Sequence, residues 1–242
     1  FVFRDGVGMA LKAMVFIDGN WFYHSRQALF SLKNEAGFEL DYRRIPSLLS
    51  ECLSNSFGEK VDVISCQYFG IIQANKQNCN ASKQATFYNF LSKDCAFDVV
   101  VSTIDYKTEV AISEDRAIAL SLASAVLKNS INPKAYDIAT FVCGSADYIP
   151  FINQTRMLGK KTAVVTMRNF DNMQNSSYQL YSKDVFIDCE PIFFDDYVDV
   201  LRLVRHEQQR KCKSCEAEEF TTWAGPEFYC SKCRSGYQRK RN

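Results

Sequence analysis

VFIDGNWFYHS, residues 15–25, places a carboxylate where an apolar run ends. Val15, Phe16 and Ile17 have the character of a short buried strand. Asp18 and Gly19 stop the run, and the polar-aromatic segment after them opens a helix. An acid there has two readings. It caps the helix, because Asp side chains accept bonds from the unpaired N–H groups of a first turn. Alternatively, it is one of several carboxylates gathered at a sheet edge around a metal ion. The rest of the chain has to separate the two.

Working outward, strand-like runs recur at 13–17, 61–70, 97–104, 136–143, 161–167 and 185–188. Several are continuous Val/Ile/Phe runs, as suits strands covered on both faces. Between them lie helical patterns, such as Ala117, Leu120, Ala123, Ala125 and Leu127 within SEDRAIALSLASAVL. Strands alternating with helices predict an α/β fold with a central parallel sheet. Sites in such sheets form outside the carboxyl ends of the strands, where the strand order reverses. The residues after each run therefore carry functional information. Asp18 follows the first run, Asp105 the third, with Glu114 and Asp115 at the next helix start; GSADY with Asp147 follows the fourth, and MRNFD with Asp171 the fifth. Independent capping would seldom put acids at four strand ends of one sheet.

In their order, VFIDGNWFY, SEDRAIAL, CGSADYIPFINQTRMLGKKTAVV and SSYQLYSKDVFID resemble the NYN domain of the PIN-like nuclease superfamily, LabA/DUF88 branch, across residues 13–188. The resemblance implies a three-layer PIN-like domain over 9–190 whose acids bind Mg²⁺ or Mn²⁺ for RNA phosphodiester hydrolysis. Asp18 matches the aspartate of the FIDG motif, Asp115 the aspartate of the central helix start, and Asp147 the second aspartate of the G-D-x-D turn. These three are the expected catalytic acids and Mg/Mn ligands, with Asn20, Asp105, Glu114, Ser145 and Asp171 as accessory candidates. Two positions depart from the pattern. Ser145 replaces the first aspartate of the turn, and Trp21 stands where the family has Asn, with Asn20 one place early. Mg²⁺ keeps several waters and needs only one or two protein carboxylates, so three acids suffice for one ion.

The C-terminal segment 212–242 has a different character. Cys212 and Cys215 form one C-x-x-C pair and Cys230 and Cys233 a second, fourteen residues on, a spacing that predicts a closed four-cysteine zinc ribbon. The other six cysteines are scattered, several in apolar runs, and the pattern as a whole fits a reducing cytoplasm better than a disulfide framework. Residues 205–242 hold nine Lys/Arg and five Asp/Glu (+4), against 20 and 23 (−3) before them, which sums to the chain's +1. A basic tail on an acidic body suits a polyanionic partner. Lys213, Trp223, Lys232, Arg234, Arg239, Lys240 and Arg241 are the candidate RNA contacts, with single-stranded RNA the expected partner. Equally, Trp223, Phe228 and Tyr229 could form the ribbon's own small core. The linker 191–211 reads as a helix docked on the body, through Val198, Leu201 and Val204, with a homodimer seam as the alternative.

No apolar run approaches the roughly 20 residues that span a bilayer, the first residues lack a signal peptide's apolar stretch, and residues 1–8 enter no argument. His24 and His206, the two histidines, lie far apart and suggest no histidine-based mechanism. Three functions fit: a metal-dependent ribonuclease, a degraded PIN-like domain that binds RNA or protein without cutting, and an assembly module.

Overall fold

The structure, a computed structural model, describes residues 9–33, 39–107, 113–168, 187–204, 208–222 and 225–239. The chain forms two compact units, Phe1–Arg202 and Leu203–Asn242.

In the first unit, six strands make one sheet: β1 Leu11–Asp18, β2 Val61–Ala74, β3 Asp98–Asp105, β4 Ile138–Val142, β5 Lys161–Thr166 and β6 Ile192–Phe193. Their order is β3-β2-β1-β4-β5-β6, and every neighbouring pair is parallel. Helices α1 Gly19–Lys33, α2 Ile45–Phe57, α3 Ala81–Asp94, α4 Glu114–Ser130 and α5 Ile149–Met157 fill the crossovers. The order reverses between β1 and β4, so a crevice opens above their carboxyl ends.

Strand alternation divides the interior. Val15 and Ile17 join one cluster with Phe22 of α1, Leu49 and Leu53 of α2 and Leu91 of α3. Met14 and Phe16 point the other way, onto Ile118, Leu122 and Val126 of α4 and Ile152 of α5. The period of two along a strand thus feeds two cores, and the result is a three-layer domain. In α4 the inward stripe is Ile118, Leu122, Val126 and Ser130, at i, i+4, i+8 and i+12, whereas Leu120 is 56% exposed. Of the expected positions, Ala123 is buried and Ala117 and Ala125 pack against the same core, whereas Leu120 faces solvent and its inward place is taken by Ile118 and Leu122.

Two other expectations are corrected. Residues 185–186 of the expected strand 185–188 lie outside the described residues, 187–188 are not in a strand, and among the described residues the sheet edge is β6 at 192–193. Nor is 191–211 a continuous helix. Its helical part is a 3-10 turn Phe194–Tyr197 followed by α6 Val198–Leu201, while Val204 is exposed. Phe194, Val198 and Leu201 pack into the α1–α2 core, so this stretch closes the body.

Within the segment CGSADYIPFINQTRMLGKKTAVV, Lys160 has a structural role. Gly159 ends α5 at φ 82°, in the left-handed region glycine tolerates. Lys160, 4% exposed, then donates to the carbonyls of Asn132, Pro133 and Tyr136 at 3.1, 2.9 and 2.5 Å. It ties the α4–β4 loop to the start of β5. Lys160→Met should cost about 3 kcal/mol, since buried carbonyls lose a charged donor. Urea denaturation measures this, and a loss under about 1 kcal/mol would mean that water replaces the ammonium without penalty.

Candidate functional site

Asp18 ends β1 at the crevice and is 5% exposed. Its Oδ1 accepts the backbone N–H groups of Asn20 and Trp21 at 3.1 and 3.0 Å, and its Oδ2 accepts the Tyr148 hydroxyl at 2.7 Å. Asp18 is therefore the cap of α1, and its Oδ2, accepting the Tyr148 bond, retains a lone pair. Burial pushes its carboxyl above the ordinary 3.8, and the charge of Asp115 adds to the rise; the two N–H bonds and Tyr148 oppose it. Burial and the neighbouring Asp18 charge likewise push the Tyr148 phenol far above its ordinary range, so it stays a donor.

Asp115 lies in the first turn of α4, behind the cap Ser113, and is exposed. Asn20 donates to its Oδ1 at 2.7 Å. The early asparagine thus does reach the site. Trp21 also lines the cleft of Asp18 and Asp115, and it packs on Gly144, where a Cβ would stand 1.8 Å from the indole nitrogen. After β4, a 3-10 turn Ala146–Tyr148 carries Asp147, exposed, with the Ser145 hydroxyl accepting the Asp147 N–H at 3.2 Å. One cleft of ≈ 120 Å³ is lined by Asp18, Asn20, Asp115, Ser145 and Asp147 together with His24 and Tyr148.

The other accessory candidates lie elsewhere. Asp105 ends β3 outside this cleft, its Oδ1 accepting from Asn75 and from the Lys107 N–H, and those bonds lower its carboxyl. Glu114 lines a neighbouring groove and pairs with Lys76 at 2.6 Å and with Tyr106. Burial raises Glu114, but the bonds from Lys76, Tyr106 and Gln73 outweigh it and leave it below its usual value. Asp171 lies outside the described residues. Sequence reasoning missed His24 and Tyr148. His24 sits at i+4 from Asn20, on the same helical face, and that spacing was the available signal.

The donor set suits a hard divalent cation. Carboxylates and a serine hydroxyl are oxygen ligands, and a space of about four water volumes at ~30 Å³ each holds an ion with its waters. A cation would also offset the charge repulsion that Asp115 exerts on buried Asp18. The three carboxylates share the cleft without the close convergence found in the second unit, where, among the described residues, the four cysteine sulfurs form the set lying within 4.8 Å of one another.

That second unit is a hairpin, β7 Gln208–Lys211 paired antiparallel with β8 Glu218–Thr221, followed by α7 Ser231–Arg239. Cys212 and Cys215 turn at the end of β7; Cys230 and Cys233 turn into α7. Four thiolates at ~2.3 Å from one zinc stand ~3.8 Å apart, and the observed spacing fits, with Cys215 and Cys230 sulfurs at 3.5 Å. The Cys230 N–H donates to the Cys212 sulfur at 3.3 Å and, foremost among backbone donors, lowers that thiol to about 6. Phe228 is buried with Cys212 and Cys230 and is core, not a base platform. Tyr229 and Phe220 are exposed, at 39% and 70%. Lys213 is engaged by Glu227, while Lys232 and Arg234 are exposed. Trp223, Lys240 and Arg241 lie outside the described residues, as does the side chain of Arg239.

Among the described residues no helix is long and apolar enough to cross a membrane. No curated protein matches the chain. A crystallised protein of unknown function from Vibrio parahaemolyticus shares the fold, with a TM-score of 0.53 at 15% identity over 82% of this chain and 99% of that one. The model of the NYN domain matches residues 12–190. With that match, a parallel 3-2-1-4-5-6 sheet and acids at the ends of β1 and β4, the chain belongs to the NYN domain family, a fold of the PIN-like nuclease type.

Proposed function

We propose that the protein is a metal-dependent ribonuclease that hydrolyses RNA phosphodiester bonds at the cleft of Asp18, Asp115 and Asp147. The supporting observation is that three acids from three separate elements line one small cleft at the switch point of the sheet. Mg²⁺ or Mn²⁺, when bound, supplies neutralisation of the phosphate charge and a water of lowered pKa.

The chain's own residues do the rest. The α1 N–H groups and Tyr148 fix Asp18 in one orientation, and Asn20 fixes Asp115. Such fixed ligands need no reorganisation when charge develops. Asp115 and Asp147 are exposed, where a phosphodiester can approach. His24 places an imidazole at the same cleft as a donor to phosphate oxygens. The ribbon, with zinc as its structural ion, holds RNA: Lys232 and Arg234 meet phosphates, and Tyr229 and Phe220 offer exposed rings to bases.

Ser145 favours a second reading, a degraded site that binds RNA without cutting. It lines the cleft where the family pattern has an acid, and its hydroxyl is committed to the Asp147 N–H. Incubating the protein with labelled single-stranded RNA and Mn²⁺ or Mg²⁺, with EDTA as control, separates the two. Wild type should cut. If it cuts nothing and Ser145→Asp switches cleavage on, the degraded-site reading takes its place.

A further inference from the structure

A second cavity adjoins the acid cleft, and the sequence reading, which ended the second strand at Gly70, did not see it. β2 runs on to Ala74, past Phe69, its last partner on β1. The open edge of residues 70–74 would leave backbone groups unpaired, which buried strands avoid. Side chains of α3 close it. The Tyr88 hydroxyl accepts the Ile71 N–H and donates to the Ile71 carbonyl, both at 2.9 Å, and Gln84 Oε1 accepts the Gln73 N–H at 2.8 Å. Gly70 makes room, since a Cβ there would stand 2.4 Å from the Tyr88 ring. A groove of ≈ 540 Å³ results, and it shares Asn20 and His24 with the acid cleft.

Size, walls and charge together define what fits. Organic ligands occupy sites of roughly 300–1,000 Å³, so the groove takes a ring system that the ≈ 120 Å³ acid cleft cannot. Tyr88 is held rigidly by its two bonds, and Tyr23 lines the groove 43% exposed, with the Arg26 guanidinium 3.9 Å from its ring centre. Fixed aromatic rings are stacking surfaces for bases. Amide groups of Gln73 and Gln84, bonded to each other at 3.1 Å, add donors and acceptors to the wall. Lys76 and Lys83 line the groove with one acid, Glu114, already paired with Lys76, so the groove is net positive beside a cleft of three carboxylates.

The geometry points to this groove as the binding site of an unstacked nucleobase of single-stranded RNA, from the nucleotide next to the phosphate held in the acid cleft. The assignment rests on the ribonuclease reading. It makes the groove the source of single-strand preference, because a paired base has to leave its stack to enter.

The test uses the full chain carrying Asp147→Asn to stop turnover, with a short oligoribonucleotide bearing 2-aminopurine at successive positions. Binding should quench the fluorophore at one position, by stacking on the groove's rings. Tyr23→Ala and Lys83→Glu, both at exposed positions, should each remove that quench and weaken affinity roughly tenfold, the scale of one lost base stack. A duplex of the same sequence should bind at least about tenfold more weakly with no quench. The inference is overturned if no position quenches, or if both variants bind within twofold of their parent. The outcomes separate from those of the reading beneath it. Quenching without cleavage by wild type keeps the groove and removes the hydrolase; cleavage without quenching does the reverse.

Discussion

Asp18→Asn and Asp147→Asn should each lower RNA cleavage by at least about a hundredfold, the usual cost of removing one preorganised charge from a reacting centre. RNA affinity should hold or rise, because an acid beside the phosphate repels it. Asn keeps the size of the side chain, so the loss reads charge. Asp18→Asn should also stabilise the protein. Its Oδ1 can still accept the Asn20 and Trp21 N–H bonds that cap α1. What disappears is a carboxylate whose pKa burial has raised. A raised folded pKa means that stability is fully present below the ordinary 3.8 and is lost as pH rises through the folded value. At neutral pH, in EDTA, wild type therefore carries a penalty that the variant lacks. Its melting temperature should rise by a few degrees, at roughly 2–4 °C per kcal/mol for a domain of this size, and the difference should shrink as pH falls. Cleavage of labelled RNA in Mn²⁺ and thermal melts in EDTA measure both effects. An Asp18→Asn protein that cuts like wild type would remove Asp18 from the reaction. One that melts lower would show that loss of the acceptor for the Tyr148 hydroxyl outweighs removal of the buried charge.

The part of the fold legible in the sequence is the part that local rules determine. Strands buried on both faces have to be apolar throughout, so β1, β4 and β5 announced themselves as continuous runs, and the acids after β1 and β4 pointed to the crevice. What stayed hidden depended on partners distant in sequence. β6 is two residues long and exists because Val165 and Thr166 offer it an edge. The stripe of α4 was ambiguous because Leu120 and Leu122 are equally apolar, and only the sheet decides which faces in. β2 continued past Gly70 because Tyr88 and Gln84, on another element, satisfied its backbone. The same holds for the site. The candidate acids Asp18, Asp115 and Asp147 were readable from motifs, but the bond from Asn20 to Asp115 depended on α4 bringing Asp115 to it. That the Trp21 indole fits depends on Gly144, far along the chain, having no Cβ.

Zinc removal should produce the largest change in structure, confined to residues 208–239. The ribbon's buried set is Cys212, Phe228 and Cys230, with Cys233 packed against it. Burying one Phe contributes ~1.5–3 kcal/mol, whereas ordering the backbone costs ~1–2 kcal/mol per residue. A hairpin and one short helix cannot close that gap with four pairs of strand residues. Structural zinc contributes an apparent ~10–16 kcal/mol in comparable knuckles, enough to decide between folded and unfolded. The purified chain should therefore hold about one zinc per molecule, by elemental analysis. A strong chelator, or Cys230→Ser, should collapse the amide dispersion of the ribbon while the resonances of 11–202 keep theirs, because that unit has its own two cores. Cys230 is the sensitive position: its sulfur is buried, it belongs to the four-sulfur cluster, and its N–H supports Cys212. The functional consequence follows from charge. With the ribbon unfolded, Lys232 and Arg234 are no longer held together on one helix, so RNA affinity and its salt dependence should both fall. Cleavage at high protein concentration should persist, because the acids lie in the other unit. Finding no zinc, with a Cys212–Cys215 disulfide in its place, would replace the structural ion with a redox pair and detach the ribbon from RNA binding.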